Sequence, residues 1–264
     1  MKKKKIRVTA RDMTLLTGLN DFYLLSTRQI QELYFQSINI KTVLRRLRLL
    51  KIHGYLRRFK AGVNGECIWS LGKNAESIMA QEIKIKGINR NSLVHDLKAN
   101  DLRINLESKN LGNNFTSGYL LRHKASSNKS PYDRSPETIP DWIFSMKTKN
   151  GIRIIALECE LTYKGKRRMN YVFERYYNKK SINHLWYVVP TESFKMKLLD
   201  IFKDYPYKKS DSYLWVSTFS DLEKSLDEVC FCTIKGEVMV KKICNIPAHK
   251  NDYRVSMKEK LGVA

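Results

Sequence analysis

Acidic side chains gather at one point of this sequence in a pattern that suits metal-assisted chemistry on phosphate. Pro140-Asp141 comes first, and Glu158-Cys159-Glu160 follows at the end of an alternating run. Alternation in a strand sends Ile152, Ile154, Ala156, Glu158 and Glu160 to one face, and Leu157, Cys159 and Leu161 to the other. Two like charges so placed repel unless solvent, a cation or a proton compensates them. Asp141 opens the neighbouring strand of the same hairpin, so the three carboxylates are expected to converge. Oxygen donors of this kind suit Mg²⁺ or Mn²⁺, and such an ion activates water and stabilises charge growing on a phosphorus-bound oxygen. Taken singly, each acid reads more simply as a solvated strand end.

A fourth acid comes from an upstream helix. Leu93, Leu97 and Ile104 form its inward stripe, and Asp101 falls on that stripe. A carboxylate on an apolar face needs a partner, or its pKa shifts. His95, Asp96 and Asn100 occupy adjoining faces, and His95 alone reads as a capping or packing residue. After the strand acids, Lys164, Lys166, Arg167, Arg168 and Arg175 run into a helix interleaved with Tyr171, Tyr176 and Tyr177. Phosphate contacts with aromatic stacking suit a locally melted nucleic-acid strand; packing of the tyrosines on a sheet explains them equally well. A tyrosine nucleophile is the weaker chemistry here, because His53, His95, His123, His184 and His249 are far apart in the sequence and form no triad.

The elements that must position these residues fall into two groups. Helical spacing covers Thr9 to about Leu25. A second helix starts at Ser26, where Ser26 and Gln29 make a capping-box pattern. A third follows Asn39, with Ile40, Val43, Leu44, Leu47 and Leu50 as its apolar stripe and Gly54 as its stop. Lys41, Arg45, Arg46 and Arg48 lie mostly off that stripe and are the candidates for groove or phosphate contacts. Residues 55–60 and 66–71 read as strands joined by a turn at Gly62-Val63-Asn64-Gly65. Three helices and a hairpin in this order make a winged helix-turn-helix, whose third helix enters the major groove. A solvated basic helix in an ordinary bundle is the rival reading.

A helix over 74–84 leads to a boundary near Gly87-Ile88-Asn89, giving domains at 1–88 and 89–264. The second domain opens with a helix over 92–106. Residues 108–138 have little periodicity apart from Gly118-Tyr119-Leu120-Leu121, and 126–136 read as a mobile loop. A hairpin over 142–146 and 152–161, a basic helix over 165–180, a strand over 185–189, a helix over 193–202, a strand over 213–219 and a hairpin over 229–243 follow. The expected fold is mixed α/β.

Composition bounds the partners. The 264-residue chain carries 49 Lys and Arg against 26 acids, a formal charge of +23. Such a chain is drawn to a polyanion, and nucleic acid fits better than an anionic membrane or an acidic protein. A hydrophobic fraction of 42% excludes a wholly disordered chain. No run approaches the roughly 20 apolar residues of a spanning helix. The basic start, Met1 to Lys5, has no apolar signal core after it, so a cytoplasmic protein with a basic arm and no membrane insertion is expected. Cys67, Cys159, Cys230, Cys232 and Cys244 are scattered and read as reduced thiols.

Asp141, Glu158 and the position two beyond it resemble the PD-(D/E)xK nuclease signature, a restriction-endonuclease-like fold. The family's usual lysine position is Glu160 here, with Lys164 or Lys166 as substitute cations. More broadly, the chain resembles plasmid replication-relaxation proteins and MobC-type mobilisation relaxases. The resemblance rests on Leu47-Arg48-Leu49-Leu50-Lys51-Ile52-His53-Gly54-Tyr55-Leu56, on His95-Asp96-Leu97 with Asn100-Asp101-Leu102-Arg103, and on the acid motifs. Asp96 stands where many relaxases carry Glu. The resemblance implies nicking of one strand at a transfer origin, with Asp101, Asp141, Glu158 and Glu160 around Mg²⁺ or Mn²⁺ and with His95, Asp96 and Lys164 beside them. It also implies double-stranded DNA with a locally single-stranded origin as substrate, and other relaxosome proteins and a coupling protein as partners. A non-catalytic DNA-binding accessory protein on an inactive nuclease scaffold is the alternative. A transcriptional repressor with a ligand domain is a third reading, which the acids beside basic residues disfavour.

Overall fold

The computed structural model describes residues 6–60, 66–79, 88–127, 138–207 and 210–244, with the side chains of all but 123–127. The chain divides into two compact units, residues 1–101 with 119–129 and residues 102–118 with 130–264. The boundary expected at 88 adjoins residues 80–87, outside the described residues. The basic arm at 1–5, the turn at 62–65, the side chain of His123 and most of the loop expected at 126–136 also lie outside them.

The first unit is built from strongly capped helices. Helix α1 (Ala10–Phe22) starts at a Thr9 capping box: the Thr9 N–H donates to Asp12 Oδ2 at 2.7 Å and the Asp12 N–H donates to Thr9 Oγ1 at 3.3 Å. A two-residue strand, β1 (Leu25–Ser26), runs into α2 (Thr27–Tyr34), where Ser26 and Gln29 close the expected box. Asn39 caps α3 (Ile40–Ile52), accepting from the Lys41 N–H at 2.9 Å. Gly54 follows with φ +76°, a left-handed conformation that favours glycine. Strands β2 (Leu56–Lys60) and β3 (Cys67–Leu71) then pair antiparallel, and β1 adds to the far side of β3 in the order β1-β3-β2.

Leu15, Leu16, Leu19, Ile30, Val43, Leu47, Leu50 and Trp69 are fully buried in this unit. A smaller cluster of Leu24, Ile68 and Leu93, with Phe59 and Leu97 against it, brings in the first part of α4 (Leu93–Ser108). Two polar ties fix that part: Asn100 Nδ2 donates to the Leu24 carbonyl at 2.7 Å and Gln29 Nε2 to the Leu97 carbonyl at 2.9 Å. Where a helix over 74–84 is expected, the described residues show a single 3₁₀ turn, Lys73–Ala75, followed by turn residues.

The second unit holds a seven-stranded mixed sheet. Its strands are β4 (Asn113–Ser117), β5 (Trp142–Thr148), β6 (Gly151–Cys159), β7 (His184–Val189), β8 (Leu214–Thr218), β9 (Cys230–Thr233) and β10 (Gly236–Met239), in the order β10-β9-β8-β7-β6-β5-β4. β6, β7 and β8 are parallel and the outer pairs antiparallel. Parallel neighbours need crossover connections, and α6 (Lys166–Tyr177) and α7 (Glu192–Lys203) supply them. Both helices pack in one cluster with Ala156, Leu185, Tyr187, Val189, Leu214 and Val216. Alternation sends Trp186, Trp215 and Phe231 to the opposite face, where Trp215 stacks on Phe231 with centroids 4.1 Å apart. Short helices α8 (Phe219–Glu223) and α9 (Val240–Ile243) complete the unit.

The fold is therefore mixed α+β, as expected. The sequence reading missed β4 and α5 (Gly118–Ser127), the latter in the first unit. It also extended β6 to Leu161, whereas the strand ends at Cys159. All five cysteines are free. Among the described residues no helix is long and apolar enough to cross a membrane.

Candidate functional site

The β5–β6 hairpin brings two of the expected acids together. The ladder ends where Trp142 pairs with Leu157, and just before it the Asp141 N–H donates to the Leu157 carbonyl at 3.1 Å, which keeps Asp141 near the Glu158 end of β6. Both carboxylates act on Tyr176 and Tyr187, which pack on the α6 side of the sheet. Each carboxylate is held by a neutral donor. The Cys159 N–H donates to Asp141 Oδ2 at 2.8 Å. The Tyr176 hydroxyl, from α6, donates to Glu158 Oε1.

The charge of this pair reaches its neighbours. Burial, reinforced by Glu158, pushes the Tyr176 phenol well above its ordinary value. Burial also raises the Tyr187 phenol, with Glu158, Glu160 and Asp141 adding to the rise and Arg168 opposing it. Three carboxylates and one guanidinium thus act on a single buried tyrosine. Glu160 lies past the strand end, where its N–H donates to the Val188 carbonyl at 3.0 Å and its Oε2 sits 2.8 Å from Lys164 Nζ. Lys164 therefore serves Glu160, while Lys166 pairs with Asp204 at 3.1 Å.

Helix α6 sorts its tyrosines by face. Tyr176 is core, Tyr177 is exposed, and Tyr171 is gripped by arginine. The Arg175 guanidinium donates to the Tyr171 hydroxyl at 3.1 and 2.9 Å, and the Arg168 and Arg175 guanidinium carbons each lie 5.1 Å from the Tyr171 ring centre. Tyr171 thus orders two cations on the surface. Arg167 is exposed beside them.

Asp101 has another role. In the first unit it accepts from Arg28 Nη2 at 2.7 Å and Gln29 Nε2 at 2.8 Å, tying α4 to α2. Its place on an apolar stripe is explained by that pairing. Asp96 accepts from the Ser92 hydroxyl at 2.9 Å and lies 3.3 Å from His95 Nδ1, a local arrangement at the start of α4. In the second unit, Arg103 lies over the Trp142 ring at 4.7 Å and 3.2 Å from Glu107. Among the described residues, no group of three or more His, Cys, Asp or Glu side chains is gathered to hold a metal ion. The expected convergence of Glu160 with Asp141 and Glu158 thus stops at a pair.

On α3, Lys41, Arg45 and Arg48 are exposed and carry no side-chain hydrogen bond or ion pair among the described residues. Arg46 differs. Its guanidinium binds Asp12, donating to Oδ1 at 2.9 Å and also to Oδ2, and reaches the Arg7 carbonyl at 3.0 Å. The sequence reading missed Asp12 and Arg28, because their partners are remote in the chain. It named Tyr176 without its role, although Met169, Val172, Phe173 and Tyr176 form a helical stripe that marks it as inward.

Two units, one with a basic exposed helix beside a small antiparallel sheet and one with an acid pair under a basic crossover helix, define a mixed α+β protein. The chain belongs to the replication-relaxation family, whose model matches residues 16–174, more than half of its length. Membership points to plasmid replication or mobilisation, and the match contains α3, Asp141, Glu158 and most of α6. No curated protein and no solved structure matches the chain.

Proposed function

We propose that this protein binds duplex DNA in plasmid replication or mobilisation, with its first unit acting as a winged helix. The carrying observation is the cation stripe of α3, Lys41, Arg45 and Arg48, unpartnered among the described residues and followed in sequence by the β2–β3 hairpin. Cations three and four residues apart share one helix face, where they can neutralise successive phosphates. Arg46 is excluded because Asp12 holds it. Replacing the three residues by alanine should weaken duplex binding about equally across sequences and lower the salt slope by about one per lost phosphate contact. Parental affinity and slope in that variant would remove this assignment.

A second activity is favoured by the Asp141–Glu158 pair. We read the second unit as a PD-(D/E)xK-like nuclease domain of the MobC relaxase type that nicks one strand near the bound site. The donor chemistry fits Mg²⁺ or Mn²⁺: two hard carboxylates on one face, each set by a fixed neutral donor. Mg²⁺ is commonly held by one or two carboxylates plus substrate phosphates, so a pair is enough. When bound, the ion would supply an activated water and a sink for charge. The chain's own residues position: Cys159 and Tyr176 fix the carboxylates, while Arg167, Arg168 and Arg175 offer phosphate contacts. Asp101 is left out because Arg28 and Gln29 engage it. Other relaxosome proteins and a coupling protein are the partners this reading implies.

Calorimetry with Mn²⁺ and a supercoiled-plasmid assay test the idea with the parental chain, Asp141→Ala and Glu158→Ala. The parent should bind Mn²⁺ and yield open circles, and both variants should lose both properties. Equal nicking by both variants eliminates the site. A parent that neither binds Mn²⁺ nor nicks identifies an inactive scaffold, the outcome that Glu160 at the lysine position favours.

A further inference from the structure

The α3 face of the first unit carries a groove of about 1010 Å³. It is lined by the start of α1, the α2–α3 connection and the outer side of α3. Its apolar lining is Phe35, Ile38, Leu49 and Ile52, and the last two are 37% and 57% exposed. Leu49 and Ile52, three residues apart on α3, thus present apolar surface at the groove. The polar lining is cationic. Arg11, Arg45 and Arg48 have no carboxylate partner among the described residues, and Arg11 instead lies 5.4 Å from the Phe35 ring centre. The one acid in the groove, Asp12, is 1% exposed and already bound by Arg46.

We propose that this groove docks an acidic amphipathic helix of a partner protein. An apolar groove takes the apolar face of a helix through side chains at i, i+3, i+4 and i+7. The arginines then face that helix's flanks, which selects glutamate and aspartate there. A second copy of this chain is a poor occupant, since surfaces of a +23 protein repel. Nucleic acid fits the arginines but leaves Ile38, Leu49 and Ile52 against phosphates and base edges that offer them little. Arg45 and Arg48 would be shared with the duplex, so docking and DNA binding should compete. That competition rests on the DNA reading; the docking does not.

Fluorescence anisotropy with the full chain tests this. One probe is a synthetic helix-forming peptide with leucines at i, i+3, i+4 and i+7 and glutamates on both flanks. The other has the same composition with its leucines dispersed. The ordered peptide should bind about ten-fold or more tightly than the dispersed one. Leu49→Ser with Ile52→Ser, both at exposed positions, should remove that advantage while circular dichroism stays parental. Equal binding of the two peptides, or a preference that survives the double substitution, overturns the proposal. Loss of duplex affinity in the double variant with no peptide preference in the parent assigns the groove to nucleic acid instead. Parental self-association abolished by the same substitutions assigns it to a second copy. Failure of the DNA reading shows separately, as parental duplex affinity when Lys41, Arg45 and Arg48 are replaced.

Discussion

The acids of the two units meet different company. In the first unit Asp12 and Asp101 each face a guanidinium, Arg46 and Arg28. In the second, Asp141 accepts from a backbone N–H and Glu158 from a phenol, each among its other contacts. Both kinds stand against apolar surroundings, and both are flagged by the same rule, that a buried carboxylate needs compensation. The rule does not say which compensation is found. A guanidinium cancels the charge and fixes the acid as structure. A neutral donor orients the acid without itself cancelling the charge.

The strongest way to break this comparison is through Asp12. It caps α1 and binds Arg46, so Asp12→Ala removes a capping partner and leaves a partly buried guanidinium unpaired. We expect a loss of about 3 kcal/mol in urea unfolding of the full chain. A loss below about 1 kcal/mol would mean that the pair is ornamental and the contrast between the units is false.

Asp221 sharpens the comparison from inside the second unit, because it has cations: Lys224 at 2.9 Å and the buried Lys195 at 3.3 Å. Burial acts to raise its pKa, but the Thr218 N–H, Lys224 and Lys195 outweigh it and hold the group down to about 2. The unfolded chain takes this proton near 4 and the folded chain near 2. The contribution, about 2 kcal/mol, is complete above pH 4 and disappears as pH falls through 2. Asp221→Asn should flatten that part of the stability profile. An unchanged acid limb would mean that Lys195 and Lys224 do not hold Asp221 as a strut.

Asp101→Asn should cost less, about 1 kcal/mol. Arg28 is 63% exposed, so the ion pair is screened, and the loss falls mainly on the Gln29 contact. The same variant should leave any Mn²⁺ binding parental. Loss of Mn²⁺ binding here would return Asp101 to the metal set and cancel its assignment as a strut.

Local grammar explains what the sequence could reveal. The Ser26–Gln29 box, the Asn39 cap and the Gly54 stop lie within a few residues of their partners, and the structure shows all three. The Thr9–Asp12 box obeys the same grammar, whereas the second partner of Asp12, Arg46, lies 34 residues away. β4 escaped for a physical reason. Asn113 and Asn114 are exposed at the sheet edge, and an edge strand needs no alternating apolar pattern to hold its ladder. The acid hairpin was legible because period-two alternation fixes faces once register is fixed. The fate of Asp101 was not, since Arg28 is 73 residues away in the chain. Arg46 was misjudged for the same reason, its acid lying 34 residues upstream. Spacing places a charge on a face; only the fold decides what stands opposite.

The smallest expected effect is also the most diagnostic. Glu158→Gln keeps the shape of the side chain and leaves an amide oxygen to accept from the Tyr176 hydroxyl. It removes one negative charge beside Asp141. If Glu158 is held for an outside cation, stability should stay within about 1 kcal/mol of the parent or rise, because relief of like-charge repulsion offsets the weaker hydrogen bond. Mn²⁺ binding should fall in the same protein. If Glu158 is a strut like Asp12, the substitution should instead cost about 2 kcal/mol or more. Urea unfolding and calorimetry on one preparation separate these outcomes. A strut-like loss would erase the difference between the two units, leaving α3 as the chain's one argued contact with DNA.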